Sequence, residues 1–202
     1  MDLKNGLFLI LILLLTTCSK EKIELNWTEI NVSTTFPLKD VYFFDQDTGI
    51  LVGGIRYQKG VVLTTNDGGT TWAIDSLLPG SLYNIDVIDR STIYAVGHFG
   101  KWVQSYDGGN SWSNRRFPQH QAYWSIDYIN HETGIGVGGG GYHTGAMYLS
   151  NVNQGNRDLY IDSLLHEMND ALFIDPSSNP SLLIAVGFGA IMRSEDGGQN
   201  WT

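Results

Sequence analysis

The sequence predicts an all-β fold made of repeated antiparallel sheets, and three observations lead to this prediction. A segment that contains Asp-Gly-Gly and ends in tryptophan occurs three times along the chain. Short runs rich in Val, Ile, Tyr, Phe and Trp alternate with glycine- and aspartate-containing turns about every eight to twelve residues, which is typical of antiparallel strands. No segment beyond the N-terminal region shows a long helical period.

The repeated segment is an octapeptide that begins with Ser or Thr and ends with Trp. Its copies start at Thr65, Ser105 and Ser194. The aspartates of the first two copies are 40 residues apart and those of the last two are 89 apart, which leaves room for one more unit with a degenerate signature. A period of this length predicts stacked supersecondary units that bury their apolar faces only against one another.

Each copy of the octapeptide predicts a hairpin turn that is stabilised by its own residues. The two glycines permit positive φ angles, the carboxylate accepts hydrogen bonds from the same turn, and the tryptophan packs between neighbouring sheets. Such a turn need not contact a ligand. We therefore interpret its residues as structural: Asp67, Gly68, Gly69, Trp72, Asp107, Gly108, Gly109, Trp112, Asp196, Gly197, Gly198 and Trp201.

Aligning the units shows three strands in each, and a fourth strand in the first three units. The first strands lie near residues 41, 85, 126 and 171, the second strands end in Val-Gly, and a third strand precedes each turn. In the third unit, residues 151–155 replace the aspartate turn. Four-stranded units repeated in this way predict the blades of a β-propeller, whose radial packing leaves only short sheet edges. We expect blades at about residues 38–77, 82–117, 123–165 and 169–202, within a repeat region of residues 25–202.

The turns resemble the Asp-box or BNR repeat. Together with the Val-Gly strands they are similar to the photosystem II stability/assembly-factor-like family of β-propellers, and more distantly to the Asp-box repeats of sortilin and sialidases. The likeness covers residues 38–202, with Asn200 where Ser or Thr is usual. This resemblance implies a propeller of six to eight blades, commonly seven, which acts as a protein-binding scaffold without catalytic residues or a cofactor.

Two interpretations of the blade number remain open. The sequence reaches Trp201 and Thr202 immediately before an outer strand is expected, whereas residues 25–32 resemble a stray outer strand without a blade of its own. The four visible blades can belong to a larger propeller, which the family resemblance favours. Alternatively, residues 25–32 can close the fourth blade and complete a four-bladed ring.

The N-terminal region predicts export. An apolar run from Leu7 to Leu15 is too short for a permanent membrane span and is typical of a signal peptide. The segment that ends in Cys18 resembles a bacterial lipobox, although Thr17 stands where Gly, Ala or Ser is usual. We expect a signal peptide over residues 1–17, an acylated Cys18, a tether over residues 18–24, and a lipoprotein of the bacterial cell envelope. An ordinary signal peptide with an incidental cysteine is the alternative.

Composition narrows the kinds of ligand. The formal net charge of −9 disfavours binding to a nucleic acid backbone. Cys18 is the single cysteine, which argues against disulfides or a thiolate metal site in the folded domain. The five histidines lack the paired spacing of metal ligands, so we expect no metal. The expected partner is a protein or a glycan, with membrane contact only through the N-terminal lipid.

Strand connectivity predicts which face of the disc binds that partner. The turns after the first and third strands lie on one face, and the loops between the second and third strands lie with the blade-to-blade linkers on the other. Loops on a rigid scaffold commonly carry binding residues, and Tyr, Trp and Arg dominate binding hot spots. Packing between blades is the alternative role of these residues. The candidates on the loop face are Arg56, Tyr57, His98, Phe99, His120, Tyr123, Trp124, Tyr142, His143 and Phe188.

A glycoside hydrolase of the sialidase type is the alternative class of function, because Asp-box turns also occur in such enzymes. Catalysis there requires several arginines gathered on a substrate carboxylate, a nucleophile and an acid. Arg90 and Arg193 fall on turn or strand positions remote from the loop face. We therefore expect a binding protein and name no catalytic residue.

Overall fold

The computed structural model describes residues 25–32, 34–115, 121–141, 143–152, 157–175, 177 and 182–202. The expected signal peptide, the tether with Cys18, and the candidate residues His120 and Tyr142 lie outside this set.

Four antiparallel sheets make up the described part of the chain, and in each the strands follow one another in sequence order. We call these sheets blades one to four. Their strands are β1 Leu38–Phe43, β2 Gly49–Gly54, β3 Lys59–Thr65 and β4 Ala73–Pro79; β5 Leu82–Val87, β6 Ile93–Gly97, β7 Trp102–Ser105 and β8 Ser113–Arg115; β9 Ala122–Tyr128, β10 Gly134–Gly141, β11 Thr144–Val152 and β12 Arg157–Leu164; β13 Met168–Asp175, β14 Leu182–Gly187 and β15 Ala190–Ser194.

The blades are arranged as the repeat predicts. The innermost strands contact one another in the order β1, β5, β9 and β13, and the remaining strands of each blade follow outwards. A single 3-10 turn, His98–Gly100, is the one helical element among the described residues. The predicted all-β, propeller-type architecture with four-stranded blades is confirmed, with three strands in the described part of blade four.

The hydrophobic core consists of three clusters, each between two neighbouring blades. Ile50 and Val52 of blade one pack against Ile85 and Ile93 of blade two. Aromatic side chains fill the next junction, and aliphatic side chains with Met147, Met168 and Phe173 fill the last. Each blade therefore depends on its neighbours for burial, as expected for stacked repeats.

One glycine makes room for the largest core side chain. Trp102 is fully buried between blades two and three and contacts Tyr123 and Tyr148 edge-to-face. A Cβ atom on Gly136 would lie 2.5 Å from the Trp102 ring, so a side chain at this position would require the ring to move. Position 136 is thus a glycine for a steric reason, because close-packed interiors tolerate little extra volume.

Polar side chains join the innermost strands around the disc. An innermost strand has no hydrogen-bonded neighbour on its inner edge, so its amide groups need another acceptor. In each case a side chain of the preceding blade accepts a hydrogen bond from a backbone N–H of the next. The pairs are Asp40 with Ile85 at 3.0 Å, Asn84 with Ile126 at 2.9 Å, Asp86 with Tyr128 at 2.5 Å and Asp127 with Phe173 at 2.7 Å.

The carboxylates of the aspartate turns accept the same set of hydrogen bonds in blades one, two and four, and the turn tryptophan adds an indole hydrogen bond in blades one and four. In blade one, Asp67 accepts hydrogen bonds from the Thr65 hydroxyl (2.8 Å), the Thr71 amide (2.9 Å) and the Thr71 hydroxyl (2.6 Å). The Trp72 indole donates to the Gly69 carbonyl at 3.0 Å. Each carboxylate is engaged within its own turn, which is the structural role that the sequence predicts.

Asn200 preserves this network although it departs from the usual hydroxyl residue. Its side-chain amide donates to Asp196 Oδ2 at 2.7 Å, where Thr71 and Ser111 donate with hydroxyl groups in the other turns. The substitution therefore keeps both the donor and its direction. Trp201 also repeats the bond of Trp72, from its indole to the Gly198 carbonyl at 3.0 Å.

The structure differs from the sequence analysis at residues 25–32. This segment belongs to no strand, and Trp27 is 80% exposed. The position beside β15 is occupied instead by Thr202, which exchanges two backbone hydrogen bonds of 2.9 Å with Arg193.

Candidate functional site

Backbone hydrogen bonds define two faces of the disc. On one face, the glycines of the aspartate turns donate to the turns between first and second strands, as from Gly68 to Asp47 at 2.8 Å. On the other, the loops between second and third strands bond to the blade-to-blade linkers, as from His98 to Ser81 at 3.0 Å. We call the latter the loop face. It is the face on which the sequence places its binding candidates.

Five ring-bearing residues from three blades meet on the loop face and form what we call the aromatic patch. Tyr57 lies 4.5 Å from the His98 ring and 5.0 Å from the Phe99 ring, both edge-on. Tyr83 stacks on Trp124 with 4.7 Å between ring centroids, and it also approaches His98 at 6.2 Å. The patch therefore consists of Tyr57, Tyr83, His98, Phe99 and Trp124.

Two exposed rings of the patch are held by an uncommon backbone conformation. Tyr57 has φ 66° and Phe99 has φ 59°, and they are the two non-glycine residues with positive φ in the described part of the chain. Their side chains are 63% and 50% exposed. A left-handed backbone at a bulky residue costs on the order of 1 kcal/mol, and such conformations cluster at functional sites. Gly189, in the corresponding loop of blade four, also has a positive φ, of 69°.

A groove of about 300 Å³ adjoins the patch. Its lining residues come from blades one, two and three, so its shape depends on how the blades pack. Two of them, Lys39 and Arg56, are cations, and the Arg56 guanidinium lies 5.3 Å from the Tyr57 ring centroid in a cation–π contact. The groove is lined by Pro37, Lys39, Gly54, Arg56, Ser81, Tyr83 and Trp124.

The positive charge of the site comes from Lys39 and Arg56 rather than from histidine. Burial lowers the pKa of His98, and the nearby Arg56 charge lowers it further. His98 is 6% exposed, and its two ring nitrogens have no hydrogen-bond partner among the described residues. A buried polar side chain without a partner is uncommon, and this imidazole contributes to the patch through its ring contacts with Tyr57 and Phe99.

The structure corrects one candidate and adds two residues. Tyr123 is 1% exposed and packs against Trp102 between blades two and three, so it is a core residue and does not line the loop face. Its neighbour Trp124 points the other way, because successive strand residues face opposite sides. The sequence analysis missed Tyr83, which stacks on Trp124, and Glu167, whose carboxylate accepts a hydrogen bond from the Trp124 indole at 2.7 Å.

Two further candidates lie on loops of other blades. His143 is exposed in the turn between β10 and β11. Phe188 is 50% exposed, and its amide donates to the Glu167 carbonyl at 2.8 Å, which places it beside the residue that holds Trp124.

A second cavity, of about 320 Å³, lies between blades two and three. Arg115 lines this cavity, and its guanidinium already has partners. It donates hydrogen bonds to the Tyr128 hydroxyl and to Asp158, both at 3.2 Å, and it lies over the Tyr148 ring. We interpret this arginine as part of the junction between the blades.

Over the residues that the structure describes, no three His, Cys, Asp or Glu side chains gather in a way that would hold a metal ion. In the same residues, no helix has the length and apolarity needed to cross a bilayer.

Comparisons with known proteins give a consistent picture. No protein-family model matches the chain. A 63-residue stretch is 33% identical to the photosystem II assembly lipoprotein Ycf48 of Synechococcus sp. (strain CC9902) and covers 30% of this chain and 19% of that protein. The aligned stretch is thus about a fifth of the length of this relative.

Solved structures extend the likeness to the fold. YCF48 bound to a D1 peptide matches with a TM-score of 0.50 at 17% identity, over 89% of this chain and 70% of that one. An ancestral GH74 enzyme matches with a TM-score of 0.62 at 17% identity, over 89% of this chain and 25% of that one. At this identity both matches show the fold alone. The sequence match and the YCF48 structure together make this chain similar to propellers of the photosystem II assembly-factor type.

Proposed function

We propose that this chain is a non-enzymatic, exported and lipid-anchored propeller that binds a partner protein through the aromatic patch and its groove. The observation that carries the proposal is the pair Tyr57 and Phe99, two exposed rings held together on left-handed backbones. Such strain persists only where the surrounding structure enforces it.

The chemistry of the site favours a partner segment with apolar or aromatic side chains and a carboxylate. Tyr57, Phe99 and Trp124 offer ring surfaces for apolar contact, and such residues dominate the energetics of protein interfaces. Lys39 and Arg56 lie beside these rings, so a carboxylate of the partner can pair with a cation while its neighbouring side chains cover the rings. The similar YCF48 is known in complex with a D1 peptide, which makes a peptide partner the leading choice and a glycan the alternative.

Binding can be tested with a matched pair of variants. Tyr57→Ala/Phe99→Ala removes both exposed rings, whereas Tyr106→Ala removes a 59% exposed ring from the opposite face. Immobilised protein is incubated with envelope extract and, as a defined probe, with a D1 peptide. We expect the double variant to weaken binding about tenfold or more and the control to retain it. Equal binding by all three proteins would contradict the proposal.

Lipid anchoring is supported by the lipobox-like segment before Cys18 and by the lipoprotein name of the Ycf48 relative. Growth of the expressing cells with an alkyne-labelled fatty acid tests it. We expect label in the wild-type protein and none in Cys18→Ser. Equal labelling, or a wild-type chain without label, would contradict anchoring through this cysteine.

The fold likeness to a GH74 enzyme makes catalysis worth testing directly. Glycoside hydrolysis commonly requires two available carboxyl groups. Asp86, whose pKa is raised to about 6 by burial, has both oxygens engaged by the amides of Val87 and Tyr128. We expect no turnover of fluorogenic sialosides or other glycosides. Turnover that Tyr57→Phe abolishes would contradict a purely binding role.

A further inference from the structure

His98 is a titratable side chain that is buried without a hydrogen-bond partner. It is 6% exposed, and neither Nδ1 nor Nε2 has a partner among the residues that the structure describes. Buried polar side chains are nearly always hydrogen-bonded, so an exception of this kind has a structural or functional reason. Because a charge costs far more to bury than a neutral polar group, this site accommodates the neutral imidazole and not its protonated form.

The charged groups around His98 also oppose its protonation. Arg56 of blade one acts on the imidazole with a positive charge. Lys101, in the same turn as His98, is a second cation, and blade three contributes the uncharged Gln121 beside this turn. In the described part of the chain, no carboxylate bonds to either ring nitrogen. The titratable or charged groups that face or adjoin the imidazole are Arg56, Tyr57, Tyr83 and Lys101.

Two rings of the aromatic patch cover the imidazole. The Tyr57 ring lies edge-on at 4.5 Å between centroids, and the Phe99 ring lies tilted at 4.3 Å. Tyr57 makes no hydrogen bond to any residue that the structure describes, so its position depends on ring contacts and on its loop. Both covering residues have a left-handed backbone, and relief of that strain offsets part of the cost of displacing them.

We propose that His98 is a pH-sensitive switch: in acid, protonation of its imidazole displaces the Tyr57 and Phe99 rings, and the loop face releases its partner. A protonated imidazole needs water or an acceptor, and it reaches either one only when the cover moves. The Tyr57 ring does not compensate the new charge, because the Arg56 guanidinium already lies over it at 5.3 Å. The same rings that contact the partner therefore also control access to the imidazole.

The sign of the effect follows from the two states of the patch. Burial, with the Arg56 charge as a further cause, lowers the pKa of the covered His98. Once uncovered, the imidazole titrates near its ordinary value of about 6.5. The open state thus binds the proton more readily, so the covered state is favoured above about pH 6.5 and loses its advantage as the pH falls below it. The effect on binding rests on the proposed partner binding, whereas the movement of the rings does not.

Nuclear magnetic resonance of the full chain in detergent micelles tests the ring movement without a partner. From pH 7.5 to pH 5, we expect the Tyr57 and Phe99 amide signals to shift together with the His98 ring signals. His98→Phe should abolish these shifts, and His131→Phe, which removes an exposed imidazole from the opposite face, should keep them. This comparison also excludes Asp86, whose pKa of about 6 is in the same range and which all three proteins retain.

The variant Phe99→Gly provides a second measurement should His98→Phe fail to fold. It removes part of the cover, so the midpoint of the His98 titration should move up towards 6.5. Two results would overturn the switch. In one, His98 takes up its proton while the Tyr57 and Phe99 signals stay unchanged; in the other, His98 remains neutral and covered at pH 5.

Binding of a D1 peptide at pH 7.5 and pH 5 tests the consequence for the partner. We expect the wild type to bind about fivefold or more weakly at pH 5. The ratio between the two pH values should be close to one in His98→Phe, whatever its affinity at pH 7.5, and should be that of the wild type in His131→Phe. Equal ratios in the wild type and His98→Phe would overturn the switch. Absence of binding at both pH values would contradict the proposed partner instead, and the resonance titration then decides the switch.

Discussion

The carboxylate of Asp86 accepts a hydrogen bond of 2.5 Å from the backbone N–H of Tyr128, which lies in the next blade. This bond joins two innermost strands that share no sheet, and equivalent bonds occur at the other junctions. The disc is therefore held by apolar burial between blades and by a row of polar contacts near its axis. These apolar and polar contacts between blades together fix the position of the loop face.

The first prediction concerns the pH dependence of stability. Burial raises the pKa of Asp86 to about 6, and the neighbouring Asp127 carboxylate adds to the increase. The native state thus binds a proton that the unfolded state has released, and stability from this group falls as pH rises from about 4 to about 6. Asp86→Asn removes the charge and keeps an acceptor for Tyr128, whereas the Val87 amide loses its carboxylate acceptor. We expect it to be more stable than the wild type at pH 8, by roughly 1–2 kcal/mol.

Urea unfolding at several pH values measures this effect. The difference between variant and wild type should shrink towards pH 4, where Asp86 is protonated. Asp45, Asp89 and Asp196 have pKa values lowered to about 2 by hydrogen bonds, so their contributions change mainly below this window. A difference that is independent of pH would show that ionisation of Asp86 does not limit stability.

The second prediction concerns the aspartate turns. Asp107 accepts hydrogen bonds from the Ser105 hydroxyl, the Ser111 amide and the Ser111 hydroxyl. Asp107→Ala leaves these donors without their acceptor and should lower the melting temperature by several degrees. Asp75→Ala, at an exposed strand position, is the control and should have little effect. Equal melting temperatures for the two variants would argue against a structural role of the turn carboxylate.

The third prediction concerns Gly136. A methyl group there would meet the fully buried Trp102 ring, so Gly136→Ala should destabilise the protein by about 1–3 kcal/mol. In the same strand, a Cβ on Gly140 would make ordinary contact with the Thr144 hydroxyl at 3.7 Å. Gly140→Ala should be neutral or slightly stabilising. Thermal unfolding of both variants provides the measurement, and equal losses would refute a steric origin.

The fourth prediction separates stability from binding at Phe99. Glycine accepts φ 59° without strain, as Gly189 does in blade four. Phe99→Gly should therefore leave stability within about 1 kcal/mol of the wild type, since relief of strain offsets the greater freedom of the unfolded chain. Partner binding should nevertheless fall about tenfold or more. A large loss of stability would instead identify Phe99 as a packing residue.

The repeat made much of the fold predictable. The repeated turns at Asp67, Asp107 and Asp196 and the second strands that end in Val-Gly before them are both visible in the sequence. These features depend on local sequence, because the hydrogen bonds that each turn carboxylate accepts span no more than four residues. Asn200 was identifiable as a departure, but only the structure shows that its amide replaces the hydroxyl donor.

The site was predictable only in part. Tyr57 and Phe99 belong to loops whose face follows from strand order, so connectivity was sufficient to place them. Tyr123 and Trp124 are adjacent, and which of the two is buried depends on where strand β9 begins. Tyr83 lies on an innermost strand, and its stacking on Trp124 arises from contact between blades, which no local pattern encodes.

A photo-crosslinking experiment tests the central claim most directly. The substitution Phe99→p-benzoylphenylalanine places a reactive ring in the aromatic patch, and Tyr106→p-benzoylphenylalanine places it on the opposite face at similar exposure. Irradiation in envelope extract should yield a crosslinked partner protein at position 99 and none at position 106. Crosslinking at position 106 with none at position 99 would contradict binding through the loop face.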